Sequence, residues 1–171
     1  MNMQTIAVAT MQTPIGPFTI AVDAGVTCAA GFVREPELLM RQLDAARRLR
    51  PLRPRGDVGA VTDAVHAYFA GDFDALEQVD VEQPGTAVQH EVWRALREVP
   101  AQKTTTYTEL AARIGRPTAA RVVGNACGRN HVALIVPCHR ALRSDGGLGG
   151  YAYGTDLKAW LLRHEGSVHQ L

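Results

Sequence analysis

Apolar and polar residues alternate through the first thirty positions, and apolar residues recur at helical spacing through most of the remainder. A sheet followed by helices is the arrangement that change of period dictates. Ile6 and Val8 share one face and Phe18, Ile20 and Val22 another, with Pro14-Ile15-Gly16-Pro17 as the turn between them. Val26 to Phe32 offers a third short strand, which makes an antiparallel meander. Leu39, Leu43 and Ala46 predict a helix, Arg50 to Gly56 reads as a loop, and Val58, Val61, Val65 and Tyr68 mark a second helix stopped near Gly71. Asp80 to Gly85 has the composition of a linker.

Beyond it, Thr86 and Gln89 fit a capping box ahead of an apolar stripe, Val88, Val92, Leu96 and Val99, that ends at Pro100. Tyr107 to Ile114 predicts a short helix, Gly115-Arg116-Pro117 a turn, and Thr118 to Cys127 another helix closed by Gly128. Val132 to Val136 is a continuous apolar run ended by Pro137, expected to be buried. A loop rich in glycine follows, from Gly146 to Gly150. The last helix is expected from Asp156 to Glu165, with Gly166 as its C-cap. Trp93 and Trp160, at helical spacing with apolar neighbours, read as core. The expected fold is therefore α/β in two parts: residues 1–82 an antiparallel sheet with helices, residues 83–171 mostly helical. No internal repeat or low-complexity tract interrupts it.

Composition adds a second division at the same place. The 171 residues carry a net charge of only +1, but residues 1–85 sum to −4 and residues 86–171 to +5. That asymmetry suggests a polyanionic partner for the second part. No apolar run approaches the ~18 residues of a membrane span, and Met1 to Thr10 lacks the basic and apolar regions of a signal peptide. Three cysteines, Cys28, Cys127 and Cys138, make an odd count unsuited to a disulfide scaffold. No CxxC is present, and neither a metal nor a cofactor is expected. The chain reads as cytoplasmic, and its 16 Arg against 2 Lys fit a GC-rich bacterial genome.

Two features carry chemistry. Thr108 to Cys127 has the form of a helix-turn-helix, with Ala111 small at the packing position, Gly115 at the turn, and Arg113, Arg116, Arg121 and Arg129 in or beside it. An ordinary helical hairpin with a solvated basic face has the same pattern. The second is Pro137-Cys138-His139-Arg140, a cysteine between a buried run and a glycine-rich loop. A free thiol is mostly protonated at neutral pH (pKa about 8.5), so nucleophilic use of Cys138 needs a base such as His139, and Arg140 would add positive potential. Glu165 is a candidate to orient the imidazole. A buried structural cysteine beside a surface histidine is the plainer alternative, and Cys127 and Cys28 read that way. Tyr107 and Tyr151 suit amphipathic packing as well as proton donation or base stacking, and Asn130 suits a turn.

With these residues in hand the chain resembles the O6-alkylguanine-DNA alkyltransferases, the methylated-DNA–protein-cysteine methyltransferases. The likeness runs through Thr13-Pro14-Ile15-Gly16-Pro17, Ala67-Tyr68-Phe69-Ala70-Gly71, Gly85-Thr86, Val92-Trp93, Thr106-Tyr107, Arg121-Val122-Val123-Gly124, Ile135 to Arg140, Gly150-Tyr151 and Lys158 to Glu165. It implies a ribonuclease-H-like first part and a DNA-binding alkyltransferase domain after it. By resemblance, the second helix of the helix-turn-helix enters the minor groove of double-stranded DNA and the damaged base rotates into a pocket. Arg121 then fills the vacated space, with Thr118, Ala119, Gly124 and Arg129 also on the DNA side.

Cys138 matches the acceptor that takes the alkyl group irreversibly from O6-alkylguanine, and from O4-alkylthymine, in a single turnover. His139 matches the group that takes the thiol proton through a water, Glu165 its carboxylate, Asn130 the brace of the network, and Tyr107 the phenol that donates to the leaving base. Ala141, Tyr151 and Ala152 match the pocket wall. A monomer is implied, with cooperative association on DNA as an alternative, in the cytoplasm of a bacterium and at its nucleoid when bound. Two other functions fit the same residues in part: a non-catalytic lesion binder, against which Cys138 argues, and a thiol hydrolase of small esters. The sequence departs from the family pattern at His131, often Pro; at Gln102-Lys103, often Gly-Glu; at Val88-Gln89, an aromatic-Gln pair; and at Ala141, usually Val.

Overall fold

The structure, a computed structural model, describes residues 4–167 and divides into two compact units. The first holds the chain up to Pro84 together with His131–Ile135, and the second holds Gly85–Asn130 and the chain from Val136 onward.

In the first unit, β1 (Ile6–Thr13), β2 (Gly16–Asp23) and β3 (Val26–Gly31) form the expected antiparallel meander. The β1–β2 turn is only Pro14-Ile15, because Thr13 already faces Gly16, whose φ of +109° a side chain would oppose. Val8 lies opposite Ala21 and Ala9 opposite Ile20, so the alternation read from the sequence matches the register. Ile6, Val8, Ala21, Cys28 and Ala29 build one core with Leu39 and Leu43, each large aliphatic contributing about 1.5–3 kcal/mol on burial.

Two expectations change here. The single helix expected around Leu39 to Ala46 is two short ones, α1 (Pro36–Met40) and α2 (Ala45–Arg48). Asp44 ends the intervening turn by accepting the Arg47 amide at 2.9 Å, which starts α2 afresh. The loop expected at Arg50 to Gly56 contains β4 (Leu52–Pro54), which pairs parallel to β1 with Ile6 opposite Leu52. The sheet order is thus β3-β2-β1-β4. What holds β4 is tertiary: Leu52 packs on the core, and Arg50 donates to Asp23 at 2.7 and 2.6 Å. Arg47 joins Asp23 at 2.9 Å and Glu82 at 2.8 Å, and Arg50 and Arg47 together keep the Asp23 carboxyl below its ordinary range. The unit also contains α3 (Ala60–Phe69), close to the helix expected to stop near Gly71, and a 3-10 turn at Phe73–Gln78.

The apolar run at 132–136 is buried as expected, but it is neither helix nor ladder strand. Ala30 donates to the His131 carbonyl and Ala133 to the Ala30 carbonyl, both at 2.9 Å, so the segment bridges beside β3. His131 donates its amide to Gln83 at 2.7 Å, a bond that proline could not make at this position. Leu134 then takes φ +71° with Ile135 donating to Ala133 across it, the rarer and strained form of γ-turn.

The second unit starts with α4 (Ala87–Arg97), whose Thr86–Gln89 capping box has both bonds in place. A Cβ on Gly85 would stand 2.6 Å from the Trp93 ring, so glycine is required there. Trp93 in turn donates to the Ala126 carbonyl at 2.8 Å. A two-stranded parallel pair, β5 (Thr105–Thr106) and β6 (Ala141–Leu142), flanks α5 (Tyr107–Arg113) and α6 (Ala120–Gly128) in sequence. Gln102 adopts φ +69°, a left-handed conformation that favours glycine. Helix α7 (Thr155–His164) ends with Gly166 at φ +76°. Trp160, expected in the core, is instead half-buried and stacked on His164 at 4.8 Å. Among the described residues, no helix is long and apolar enough to cross a membrane.

Candidate active site

Pro137, with φ −83° and ψ 63°, turns the chain out of the buried run into a 3-10 turn, Cys138–Arg140. The Cys138 amide donates back to the Val136 carbonyl at 2.8 Å, which fixes the thiol-bearing residue from its own side. Asn130 holds it from the other: its side-chain amide donates to the Val136 carbonyl at 2.9 Å and to Cys138 Sγ at 3.3 Å. Cys138 keeps partial exposure, whereas Cys28 is fully buried.

The next residue faces inward. His139 is fully buried and its Nε2 lies 2.7 Å from Glu165 Oε1, so the sequence places the imidazole and carboxylate together across 26 positions. Arg140, expected to lend its charge to the thiol, is committed elsewhere. It donates Nε to Glu165 Oε2 at 3.0 Å, Nη2 to Oε1 at 2.9 Å and Nη1 to the Val99 carbonyl at 2.6 Å. His139 Nδ1 is buried and has no hydrogen-bond partner among the described residues.

The electrostatics follow from burial and these partners. Burial pushes the Cys138 thiol pKa up, opposed by the Asn130 hydrogen bond and the charge of Lys158. At rest the sulfur is therefore a thiol that needs a base. Burial lowers the pKa of His139 against the pull of Glu165, so the imidazole is neutral at pH 7. Burial alone would raise the Glu165 pKa, but His139 and Arg140 outweigh it and hold the carboxyl well below the usual range.

Both shifts act in one direction on stability. The unfolded chain protonates its histidine at the ordinary 6.5 and its glutamate at 4.5, while the folded chain resists both protons. The His139 share is present above pH 6.5 and lost progressively below it, and the Glu165 share is lost only below pH 4.5. Thermal melts are expected to fall steadily between about pH 7 and about pH 5, and a flat or rising midpoint over that range contradicts a neutral buried His139.

Around Cys138 stand groups that the sequence had not gathered. Lys158 is fully buried, donates Nζ to the carbonyls of Ala141 at 2.7 Å and Gly150 at 3.2 Å, and sits 5.9 Å from the Tyr107 ring centroid. Burial, then the nearby Cys127 and Cys138 sulfurs, push the Tyr107 phenol up to about 12. Cys127, read as an inert helix residue, is thus a neighbour of both, and burial keeps its own thiol protonated. Tyr153 is likewise pushed up to about 12 by burial and by Cys138. The missed signal was on the helix itself: Lys158, Leu161 and Leu162 share the buried face of α7, with the buried Glu165 as its C-cap, and a lysine there needs a polar partner.

The remaining predicted residues fall in two groups. The helix-turn-helix is present, its first helix started by a second capping box, Thr106 with Glu109, and Gly115 turning at φ +74°. Its second helix starts at Ala120, so Thr118 and Ala119 lie in the turn, while Arg121 and Arg129 are exposed. Arg116 lies 3.6 Å from Glu91 in an exposed ion pair. A cleft of about 470 Å³ is lined by Tyr107, Ala120, Arg121, Gly124, Asn125 and the Arg143–Asp145 loop. Thr118, Ala119, Arg129, Cys138, Ala141, Tyr151 and Ala152 are not among its lining residues. Ala141 is buried in β6, Tyr151 is half-buried with its ring 5.7 Å from that of Tyr153, and Ala152 is exposed. Among the described residues, no group of three His, Cys, Asp or Glu side chains is placed to hold a metal ion.

The sequence profile of the 6-O-methylguanine DNA methyltransferase DNA-binding domain matches residues 87–167. The Salmonella typhimurium methylated-DNA–protein-cysteine methyltransferase is 38% identical over 161 residues, 90% of this chain and 92% of that protein. The Mycobacterium bovis protein of the same name is 39% identical over 92% of this chain and 91% of its own. Among solved structures, the Mycobacterium tuberculosis O6-methylguanine methyltransferase superposes with a TM-score of 0.76 at 37% identity, covering 94% of this chain and 92% of that one. Mycobacterium tuberculosis OGT in complex with DNA gives 0.77 at 36%, covering 93% and 92%. A mixed α/β fold with a sheet-bearing first part and a helical second part is common to them. With identity above a third across almost the whole chain, this protein belongs to the methylated-DNA–protein-cysteine methyltransferase family.

Proposed function

We propose that this protein repairs O6-alkylguanine in double-stranded DNA by taking the alkyl group onto Sγ of its own Cys138, once per molecule. The observation that carries the reading is the pair of hydrogen-bonded sets on adjacent residues, Asn130–Cys138 and His139–Glu165–Arg140, which supply a braced thiol, a neutral base and an ionised carboxylate. In the reaction Cys138 Sγ forms a bond to the alkyl carbon as the bond from that carbon to O6 breaks. The thiol proton passes through a water to His139 Nδ1, and Glu165 stabilises the imidazolium as it forms. Tyr107, whose phenol stays protonated, donates to the leaving base as negative charge builds on it. The thioether has no hydrolytic exit, which is why turnover is single.

Access to the alkyl carbon requires the nucleotide to leave the stack, at a cost of a few kcal/mol that a weakly paired lesion lowers. Helix α6 is proposed to lie in the minor groove, with Arg121 entering the vacated space from the cleft edge. Thr118, Ala119, Gly124 and Arg129 would meet the backbone beside it. Ala141, Tyr151 and Ala152 would wall the base pocket, and O4-alkylthymine, with the same kind of carbon–oxygen bond, is proposed as a second substrate. The protein is proposed to act as a monomer. A thiol that must stay reduced fits the cytoplasm.

The test is a time course with excess duplex containing O6-methylguanine. Methyl transfer is expected to stop at one group per chain and to be absent from Cys138→Ser. Continued turnover, or repeated hydrolysis of an activated ester without DNA, would instead make the protein a thiol hydrolase.

A further inference from the structure

We infer that Arg140 is a positioning residue that sets the tautomer of His139, by keeping Glu165 a carboxylate so that Nε2 carries the ring proton and Nδ1 stays free to accept one. The inference rests on the proposed use of His139 as the base for Cys138.

Glu165 occupies a poor place for a negative charge. It is fully buried, and it is the C-cap of α7, where the helix's own carbonyl ends repel an anion. His139 alone, neutral in this setting, gives it a single hydrogen bond. Arg140 supplies the fixed charge and two donors, one to each carboxylate oxygen, and its third contact to the Val99 carbonyl anchors the guanidinium. Oε1 is shared by Arg140 Nη2 and His139 Nε2, so the cation and the imidazole read the same oxygen. The other cation acting on His139 is Lys158, whose Nζ is directed to the carbonyls of Ala141 and Gly150.

Without the guanidinium, a carboxyl in this position would take up a proton. A protonated carboxyl donates, and His139 Nε2, 2.7 Å from Oε1, lies within reach of its O–H. The ring proton would then sit on Nδ1, the nitrogen that the proposed reaction needs as an acceptor. Loss of Arg140 thus blocks the base without touching the thiol, the imidazole or the carboxyl.

The experiment compares Arg140→Met, which keeps the bulk and removes the charge, with Arg140→Lys, which keeps the charge and loses the fork. Ring nitrogen shifts of His139 in histidine-labelled protein report the tautomer directly, with no alkyl transfer needed. The reaction with free O6-benzylguanine across pH reports the base. Wild type and Arg140→Lys are expected to carry the proton on Nε2. Arg140→Met is expected to carry it on Nδ1, with transfer about 100-fold slower at neutral pH and recovering as rising pH ionises Glu165. An unchanged tautomer in Arg140→Met, or slower transfer with a pH profile parallel to wild type, overturns the inference and leaves Arg140 a structural residue. If Arg140→Met does not fold, Arg140→Lys decides alone: Nε2–H supports the inference and a mixed tautomer contradicts it. Failure of wild type to accept an alkyl group would remove the proposed function, while the tautomer result would stand on its own.

Discussion

Replacing Glu165 by alanine is expected to cost about 3–5 kcal/mol of folding stability, the range found when one partner is removed from a buried ion pair. The penalty arises because Arg140 stays behind, nearly buried, with only the Val99 carbonyl as acceptor, while His139 Nε2 loses its acceptor altogether. A protein of this size has only about 5–15 kcal/mol in all, so the variant should unfold at markedly lower denaturant. Whatever fraction folds should transfer alkyl groups slowly, because nothing remains to stabilise the imidazolium. Urea titration measures the first effect and transfer from free O6-benzylguanine the second. A loss under about 1 kcal/mol would place the pair outside the buried regime and contradict the packing described.

Arg121→Ala should act on a different step. Arg121 is exposed at the rim of the cleft and makes no ion pair among the described residues, so stability should be nearly unchanged. If its side chain fills the space left by the rotated nucleotide, its loss removes about 1–3 kcal/mol from the extrahelical state, a 10- to 100-fold slower repair of duplex. Free O6-benzylguanine needs no rotation and should react at the wild-type rate. Equal losses on the two substrates would remove the proposed role of Arg121.

Local signals carried much of the fold. The β1–β2 hairpin, the α4 capping box, and the glycines after α3 and α7 are each written within a few neighbouring residues, and each stands where the sequence puts it. What escaped was decided at a distance. β4 contains proline and arginine and becomes a strand only because β1 offers an edge and Asp23 anchors Arg50. The second helix of the helix-turn-helix starts after Thr118 because Pro117 and the turn bonds from Arg116 delay it.

Charge counting had a similar limit. It marked the second half as basic but could not tell that Arg140 and Lys158 are spent inside, on Glu165 and on carbonyls, or that Arg116 leans to Glu91. In the site, the Pro-Cys-His-Arg run was legible, and so was Glu165 as a partner by resemblance. The meeting of Cys127, Tyr107 and Lys158 around the thiol was not, since they come from three separate helices.

Peptide mass after reaction with an O6-methylguanine duplex decides whether Cys138 is the acceptor. One added methyl is expected, confined to the peptide bearing Cys138, with the peptides of Cys28 and Cys127 unmodified. A methyl on either of those cysteines, or full transfer by Cys138→Ser, would contradict it.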